Sequence, residues 1–342
     1  MQALDHQQRL FMVESDQIYR AWVEALHHAR SYRYGMRWTS SKGRQYLVRV
    51  HDARGNGKSL GPRTTETEAV FAAFSEGKLR AEARLKSLAS RMKDQARLNR
   101  AARLGRLPNI VADILLGLAA ARMTHDFCVI GTHAIHGFEA MAGVHCRMAL
   151  LASGDVDLLY DPRRRISLVT RKLDEYGLLG LLKKVDPTFT PLRESPFRAA
   201  NDKGFMVDLV IPARDIRDTA VMSFGQGDLI AVEVPNLHWL VNAPKHEIVA
   251  IAADGRPVMM RVPDPRAFAL HKAWLSTRKD REPVKKARDK AQAALVAEMV
   301  LSYLPALDFD PAALRYFSAD MLASAQQTLR DEADIRLPGL DL

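Results

Sequence analysis

Hydrophobic positions along this chain change period several times, and each change marks a new kind of element. Across residues 8–29, Leu10, Phe11, Ile18, Trp22 and Leu26 fall on one stripe, which predicts an amphipathic helix. Tyr34, Met36 and Trp38, then Tyr46, Val48 and Val50, recur at every second position on either side of Ser41-Lys42-Gly43. That is the period of a β-hairpin with a tight turn. The stretch RGNGKSLGPR at 54–63 reads as a Gly-rich loop, and its spacing lacks the GxxxxGK[ST] order of a phosphate loop. Helical spacing returns in Phe71, Phe74, Ala81, Leu85, Leu88 and Met92 behind a capping box expected over Thr65–Glu68, and Pro108 is expected to end that helix. A shorter helix follows over Ile110–Met123.

From Asp126 onward the pattern alternates strand and helix. Phe127–Ile130 is an apolar strand stopped by Gly131-Thr132, and His133–Met141 reads as the next helix. Asp155–Tyr160 is a second strand, followed by a helix expected around Ile166–Lys184. Phe205–Ile211 is a third strand, an apolar run broken only by Asp208. A hairpin is expected over His246–Val262 around Asp254-Gly255, then helices over Pro265–Ser276, Pro283–Leu304 and Pro311–Gln327. The expected architecture is α+β, a mixed sheet flanked by helices. Its parts are a basic helix and hairpin module at 1–107, a core at 108–262 and a helical region at 263–342.

Composition adds little until charge is mapped. The chain has 342 residues, of which 47% are hydrophobic and 26% charged, an ordinary globular balance. No apolar run approaches the ~20 residues a membrane helix needs. The N-terminus lacks a signal-peptide core, and Cys128 and Cys146 are too few for a disulfide framework, so a cytoplasmic protein is expected. The net charge is +10, and ten basic against two acidic residues lie between Lys78 and Arg106. Such a concentration suits either a polyanion such as RNA or a solvated helix face. Arg33, Arg37, Lys42, Arg44 and Arg49 interleave with the hairpin aromatics, a pattern shared by nucleic-acid surfaces and by plain half-buried hairpins with a basic outer face.

The candidate chemistry rests on three carboxylates. Asp155 and Asp157, two apart on a strand, project from one face and can grip the same cation. Asp208 lies in an otherwise buried strand, where a carboxylate is costly unless a cation or partner compensates it. Three oxygen donors suit Mg²⁺ or Mn²⁺. Gly131-Thr132, between a strand and a helix, offers backbone amides and a hydroxyl where phosphate is favoured. Ile130-Gly131-Thr132, Asp155-Val156-Asp157 and Val207-Asp208-Leu209 together resemble the DNA polymerase beta-like nucleotidyltransferase superfamily. More narrowly, GTHAIHGFEAMAG, ASGDVDLLYD, VDLVIP, PDPRAFALHKAW and KKARDKAQAA, with KGRQYLVR and SLGPRTTETEAVF before them, look like a bacterial group of nucleotidyltransferase-fold proteins. The chain is also remotely similar to abortive-infection nucleotidyltransferase toxins. Thr132 departs from the usual Gly or Ser, keeping a hydroxyl and adding a methyl.

The resemblance implies in-line attack of an acceptor hydroxyl on the α-phosphorus of a nucleoside triphosphate, with release of pyrophosphate. It implies two metal ions, Asp155 and Asp157 on both and Asp208 on the catalytic one. Lys272 is the candidate triphosphate contact, with Lys285, Lys286 and Arg288 as weaker ones, each of which also fits a solvated helix face. The acceptor (RNA, protein or a small molecule) and the oligomeric state are not encoded in these motifs. Two rivals stand beside this reading. A catalytically silent nucleic-acid-binding protein would use the same fold as a scaffold. A metal-dependent nuclease would be expected to carry a lysine near its acidic strands, and DVDLLYD and VDLVIP have none. The run of His125, Cys128, His133, His136, His145 and Cys146 lacks a CxxC pair, which favours core or site-rim histidines over zinc ligands.

Overall fold

The 26-residue helix α1 (His6–Ser31) starts at a reciprocal cap, in which Asp5 accepts from the Gln8 amide and Gln8 accepts from Asp5. The computed structural model that shows this describes residues 1–164, 177–213, 223–225 and 227–340. Ahead of α1, β1 (Gln2–Ala3) pairs antiparallel with Val144 and His145. The predicted hairpin is β2 (Met36–Ser41) and β3 (Arg44–Val50). The segment read as a loop is instead a third strand, β4 (Gly57–Pro62), antiparallel to β3 with an irregularity between Leu47 and Val48. Its glycines hide the alternation that would have marked a strand.

Helix α2 (Thr65–Ala101) is capped one residue earlier than expected, by Thr64 and Thr67, and stops short of Pro108. Its first half packs on the sheet and its second half on α1. The pairing is pinned by a buried polar contact: Asn99 donates to Ser15 Oγ (2.9 Å) and to the Gly255 carbonyl (2.9 Å). Helix α3 (Asn109–Ala120) then leads into β5 (Phe127–Ile130), α4 (Ala134–Ala142) and β6 (Val144–His145).

The central sheet holds β5, β7 (Asp155–Tyr160), β8 (Thr190–Leu192), β9 (Ser195–Ala200), β10 (Met206–Pro212) and β11 (Val232–Val234). Its order is β5-β7-β10-β9-β8, with β11 parallel to β10 on the far part of that strand. β7 and β10 run parallel, while β5 and β9 are antiparallel to their neighbours, so the sheet is mixed. Val156, Leu158, Tyr160, Val207, Leu209 and Ile211 are almost fully buried and belong to one continuous core. Between β7 and β8 lies α5 (Gly177–Val185), whose first amides, Leu178 and Leu179, donate to Asp228 (2.9 and 2.7 Å). The longer helix expected from Ile166 lies partly outside the described residues.

Past α6 (His238–Asn242), the predicted hairpin is β12 (Lys245–Ile251) with β13 (Pro257–Pro263). The chain ends in α7 (Pro265–Thr277), α8 (Pro283–Tyr303) and α9 (Ala319–Ala333). The last helix begins eight residues later than Pro311 suggested, because Ser318 supplies its cap. No helix among the described residues is long and apolar enough to cross a membrane.

Candidate active site

The strand β7 alternates strictly, which turns Asp155 and Asp157 to the face opposite Val156 and Leu158. Parallel pairing with β10 sets Asp208 directly beside Asp157. As a result, one oxygen from each of Asp155, Asp157 and Asp208 lies within 4.8 Å of the others. The three candidate ligands, 53 residues apart in sequence at the extremes, are therefore one cluster. Ser153 Oγ donates to Asp155 Oδ1 (2.6 Å), which orients the outermost carboxylate.

Gly131 follows β5 at a φ of +68°, and a Cβ there would collide with the Asp157 carboxylate. Its place in the motif has a local reason beyond phosphate approach: it leaves room for Asp157. Burial first, and the carboxylates of Asp155 and Asp208 next, push the Asp157 acid up to about 7, partly offset by Lys272 and Arg198. Three crowded carboxylates of this kind ask for positive charge.

Some of that charge comes from a residue sequence reasoning missed. Arg198 on β9 faces Asp208 across the antiparallel pair and donates to both its oxygens, Nε to Oδ1 at 2.6 Å and Nη2 to Oδ2 at 2.5 Å. Asp208 is 5% exposed, so the expected compensation of a buried carboxylate is met here by a guanidinium. The signal was present in Asn201-Asp202-Lys203-Gly204. Asn201 Oδ1 accepts from the Lys203 and Phe205 amides and closes an Asx-type turn, which folds Arg198 back onto Asp208.

Lys272 is not on a solvated face. It is buried on α7 and donates to Asp289 of α8 (2.6 Å), which also binds Arg281 (2.8 Å). Lys272 acts on Asp157 as a positive charge held in place by Asp289. Its neighbour His271 is a core histidine packed edge-on against Trp239, with its pKa lowered to about 3 chiefly by burial. Lys285 is exposed and pairs with Glu282, Lys286 is half-buried, and Arg288 donates to the Ala152 carbonyl just before β7.

The Thr132 hydroxyl accepts from Gln292 of α8 (3.1 Å), so it also ties α8 to the loop. At the start of α4, which has no side-chain cap, His133 is 1% exposed and stacks on His136. Burial and His136 lower the His133 pKa to about 4, keeping it neutral. His136 donates to Glu139 (3.2 Å), which Arg106 (2.8 Å) and the Cys146 amide (2.6 Å) also reach. Burial pushes the Glu139 carboxyl up, yet those three donors hold it below the usual range. His136 thus belongs to a buried polar chain, while His133 only stacks on it and, among the described residues, has no hydrogen-bond partner at either ring nitrogen. Among the described residues the one metal-type cluster is the three aspartates, and none of the His and Cys residues joins one.

Comparison with known families agrees with this geometry. A family model described as nucleotidyltransferase matches residues 109–317, more than half of the chain and all of the site. The chain belongs to that family. No curated protein and no solved structure matches it. The transferase match begins with α3 and covers α7 and α8, so the helices that carry Lys272, Asp289 and Gln292 lie within it.

Proposed function

We propose that this nucleotidyltransferase moves a nucleoside monophosphate from a nucleoside triphosphate to an acceptor hydroxyl on RNA, protein or a small molecule, with a divalent cation. The carrying observation is the approach of three carboxylates from two neighbouring strands to within 4.8 Å. Hard oxygen donors suit Mg²⁺ or Mn²⁺, and the upward shift at Asp157 is what unneutralised like charges produce. Asp155, Asp157 and Asp208 would hold the metal, which when bound would supply charge for the triphosphate and lower the acceptor hydroxyl's pKa. Asp208 keeps a second lone pair on each oxygen while Arg198 holds it, so it can still ligate.

The protein's own contribution is orientation. Arg198 and Ser153 fix two of the carboxylates, Gly131 makes space for the third, and Lys272 offsets part of their repulsion. The amides of Ala134, Ile135 and His136 already bond the Gly131, Thr132 and His133 carbonyls, so the Thr132 and His133 amides just ahead of α4 would be the ones to meet a phosphate. The test is transfer of label from α-labelled nucleoside triphosphates in Mg²⁺ or Mn²⁺, with cellular RNA and protein as acceptors. Labelling by the parent and its loss in Asp157→Ala are expected. Equal labelling by both would refute the site, and none with any acceptor would favour a silent nucleic-acid-binding protein on this scaffold. One observation speaks for that second reading: Arg198 already neutralises Asp208.

A further inference from the structure

The face of β7 that carries Asp155 and Asp157 continues to Leu159, because side chains two apart on a strand project together. Across the antiparallel pair with β5, Ile130 stands opposite Asp157 and Cys128 opposite Leu159, so Cys128 shares that face. Two residues at ~3.3 Å each put Leu159 roughly 7 Å beyond Asp157 along the strand. There, the buried Cys128 and Leu159 line a cavity of about 200 Å³. Its polar wall is cationic: Arg163, Lys245 at the start of β12 and Arg261 on β13 stand against one carboxylate, Asp161.

The three cations are served differently. Arg163 is largely exposed and donates to both oxygens of Asp161 (2.9 Å each) and to Asn242 (3.0 Å), so that carboxylate is already engaged. Lys245 donates to the Val241 carbonyl (2.9 Å) and to that of Ala243, at the end of α6. Those bonds use two of its three protons, and among the described residues no carboxylate pairs with it. Burial above all, with the charges of Arg261 and Arg163, lowers its pKa to about 8, Asp161 offsetting part of this. Arg261 is the least served. Its side chain is 12% exposed, and its nearest acid among the described residues, Glu247, lies 3.8 Å away and is already bonded to His125 at 2.6 Å. A guanidinium that is nearly buried with its donors unmet is costly unless an anion meets it.

Size and donor chemistry name the anion. Pockets that enclose drug-sized ligands measure roughly 300–1,000 Å³, and this cavity is smaller, which leaves out a whole nucleotide. The fork of a guanidinium matches two oxygens of a phosphoryl group, and an ammonium on another strand can meet a third. A planar carboxylate offers only two oxygens. We propose that the cavity between β5, β7 and the β12–β13 hairpin binds a phosphoryl group, with Arg261 and Lys245 as its inner donors and Arg163 at its exposed rim. The group is either free phosphate or a phosphate carried by a larger molecule that extends past Arg163. The inference stands apart from the transferase reading, since it needs neither nucleoside triphosphate nor divalent cation.

Isothermal titration of the full-length protein with inorganic phosphate, in chelator and at constant ionic strength, tests it. Charge-assisted bonds from two inner cations predict a Kd on the order of 1 mM or tighter. Arg261→Leu is expected to weaken binding at least about tenfold. Arg261→Lys, which keeps the charge and loses the fork, is expected to fall between the two. Thermal melting establishes that the variants are folded; should Arg261→Leu not fold, the exposed Arg163→Gln carries the test, with a loss of about threefold or more. Lys58→Ala, an exposed cation on β4, is the control and is expected to leave the constant unchanged. Phosphoserine in place of phosphate separates the sources: tighter binding of the free ion assigns free phosphate, and tighter binding of phosphoserine assigns a carried one. The proposal is overturned if neither probe saturates the parent by about 20 mM. It is overturned equally if the Arg261 variant, or Arg163→Gln where that stands in, binds as the parent does, or if the control loses as much.

Discussion

Replacing Gly131 with alanine tests whether the glycine exists for the sake of Asp157. Two costs can be separated. The backbone at φ +68° penalises any L-residue by about 1–2 kcal/mol. The added methyl also strikes the Asp157 carboxylate, whose Cγ would be only 3.2 Å away, while the Asp157 Cβ would sit at an ordinary 3.7 Å. Relief requires turning the carboxylate out of its rotamer, at about 0.5–1.5 kcal/mol. In an Asp157→Ala background the second cost vanishes and only the backbone cost is left. A double-mutant cycle followed by urea or thermal denaturation in chelator should therefore show a coupling of about 1 kcal/mol, equivalent to roughly 1–2 °C in midpoint for a chain of this length. With Asp157 present, Gly131→Ala should also reduce nucleotide transfer on the order of 100-fold, since a ligand displaced by about 1 Å costs that much. A coupling indistinguishable from zero, or full activity in Gly131→Ala, would refute the reasoning.

Three further outcomes follow from the site. The Asp157 acid is raised to about 7 in the fold, so the native state holds its proton between about pH 4 and 7 where the unfolded chain has released it, and stability falls as pH rises through that window. Metal-free Asp157→Asn should accordingly melt higher than the parent at pH 8 and near it at pH 5; an equal gain at both would show that ionisation is not the cause. Asp289→Ala strands Lys272 and Arg281 without their shared counter-charge and should cost about 3–5 kcal/mol in denaturant titration, a loss below 1 kcal/mol counting against the buried triad. Arg198→Leu leaves Asp208 without its guanidinium, so the variant should melt lower than the parent in chelator and regain more of its midpoint on adding Mg²⁺; an equal response of both proteins to the ion would mean that Arg198 and the metal do not share Asp208.

The local parts of the site were legible because they depend on period alone. β7 begins and ends where alternation placed it, and β10 is displaced by one residue, so both carry their carboxylates as expected. Arg198 was missed because Ser195-Pro196-Phe197-Arg198 shows too little alternation to declare a strand, and the turn residues from Asn201 to Gly204 were the one local sign that the chain folds back toward Asp208. Lys272 was read as a triphosphate contact or a solvated helix-face cation, and its pairing with Asp289 was not legible because that partner sits on a different helix. The hairpin aromatics fitted either a stacking surface or a plain half-buried hairpin until the sheet packed Trp38 against Phe71.

From sequence alone came most of the helices and the strands β2, β3, β5, β7, β10, β12 and β13, the shared face of Asp155 and Asp157, the family resemblance and the basic bias of the first third. Side-chain period and composition are properties of short stretches, and they survive without any knowledge of neighbours. Tertiary structure alone decided that Asp208 stands beside Asp157, that Arg198 holds it and that Lys272 answers to Asp289. Register between strands separated by a long crossover is set by how Val156 and Leu158 pack with Val207 and Leu209 in the core, and no local pattern encodes that fit.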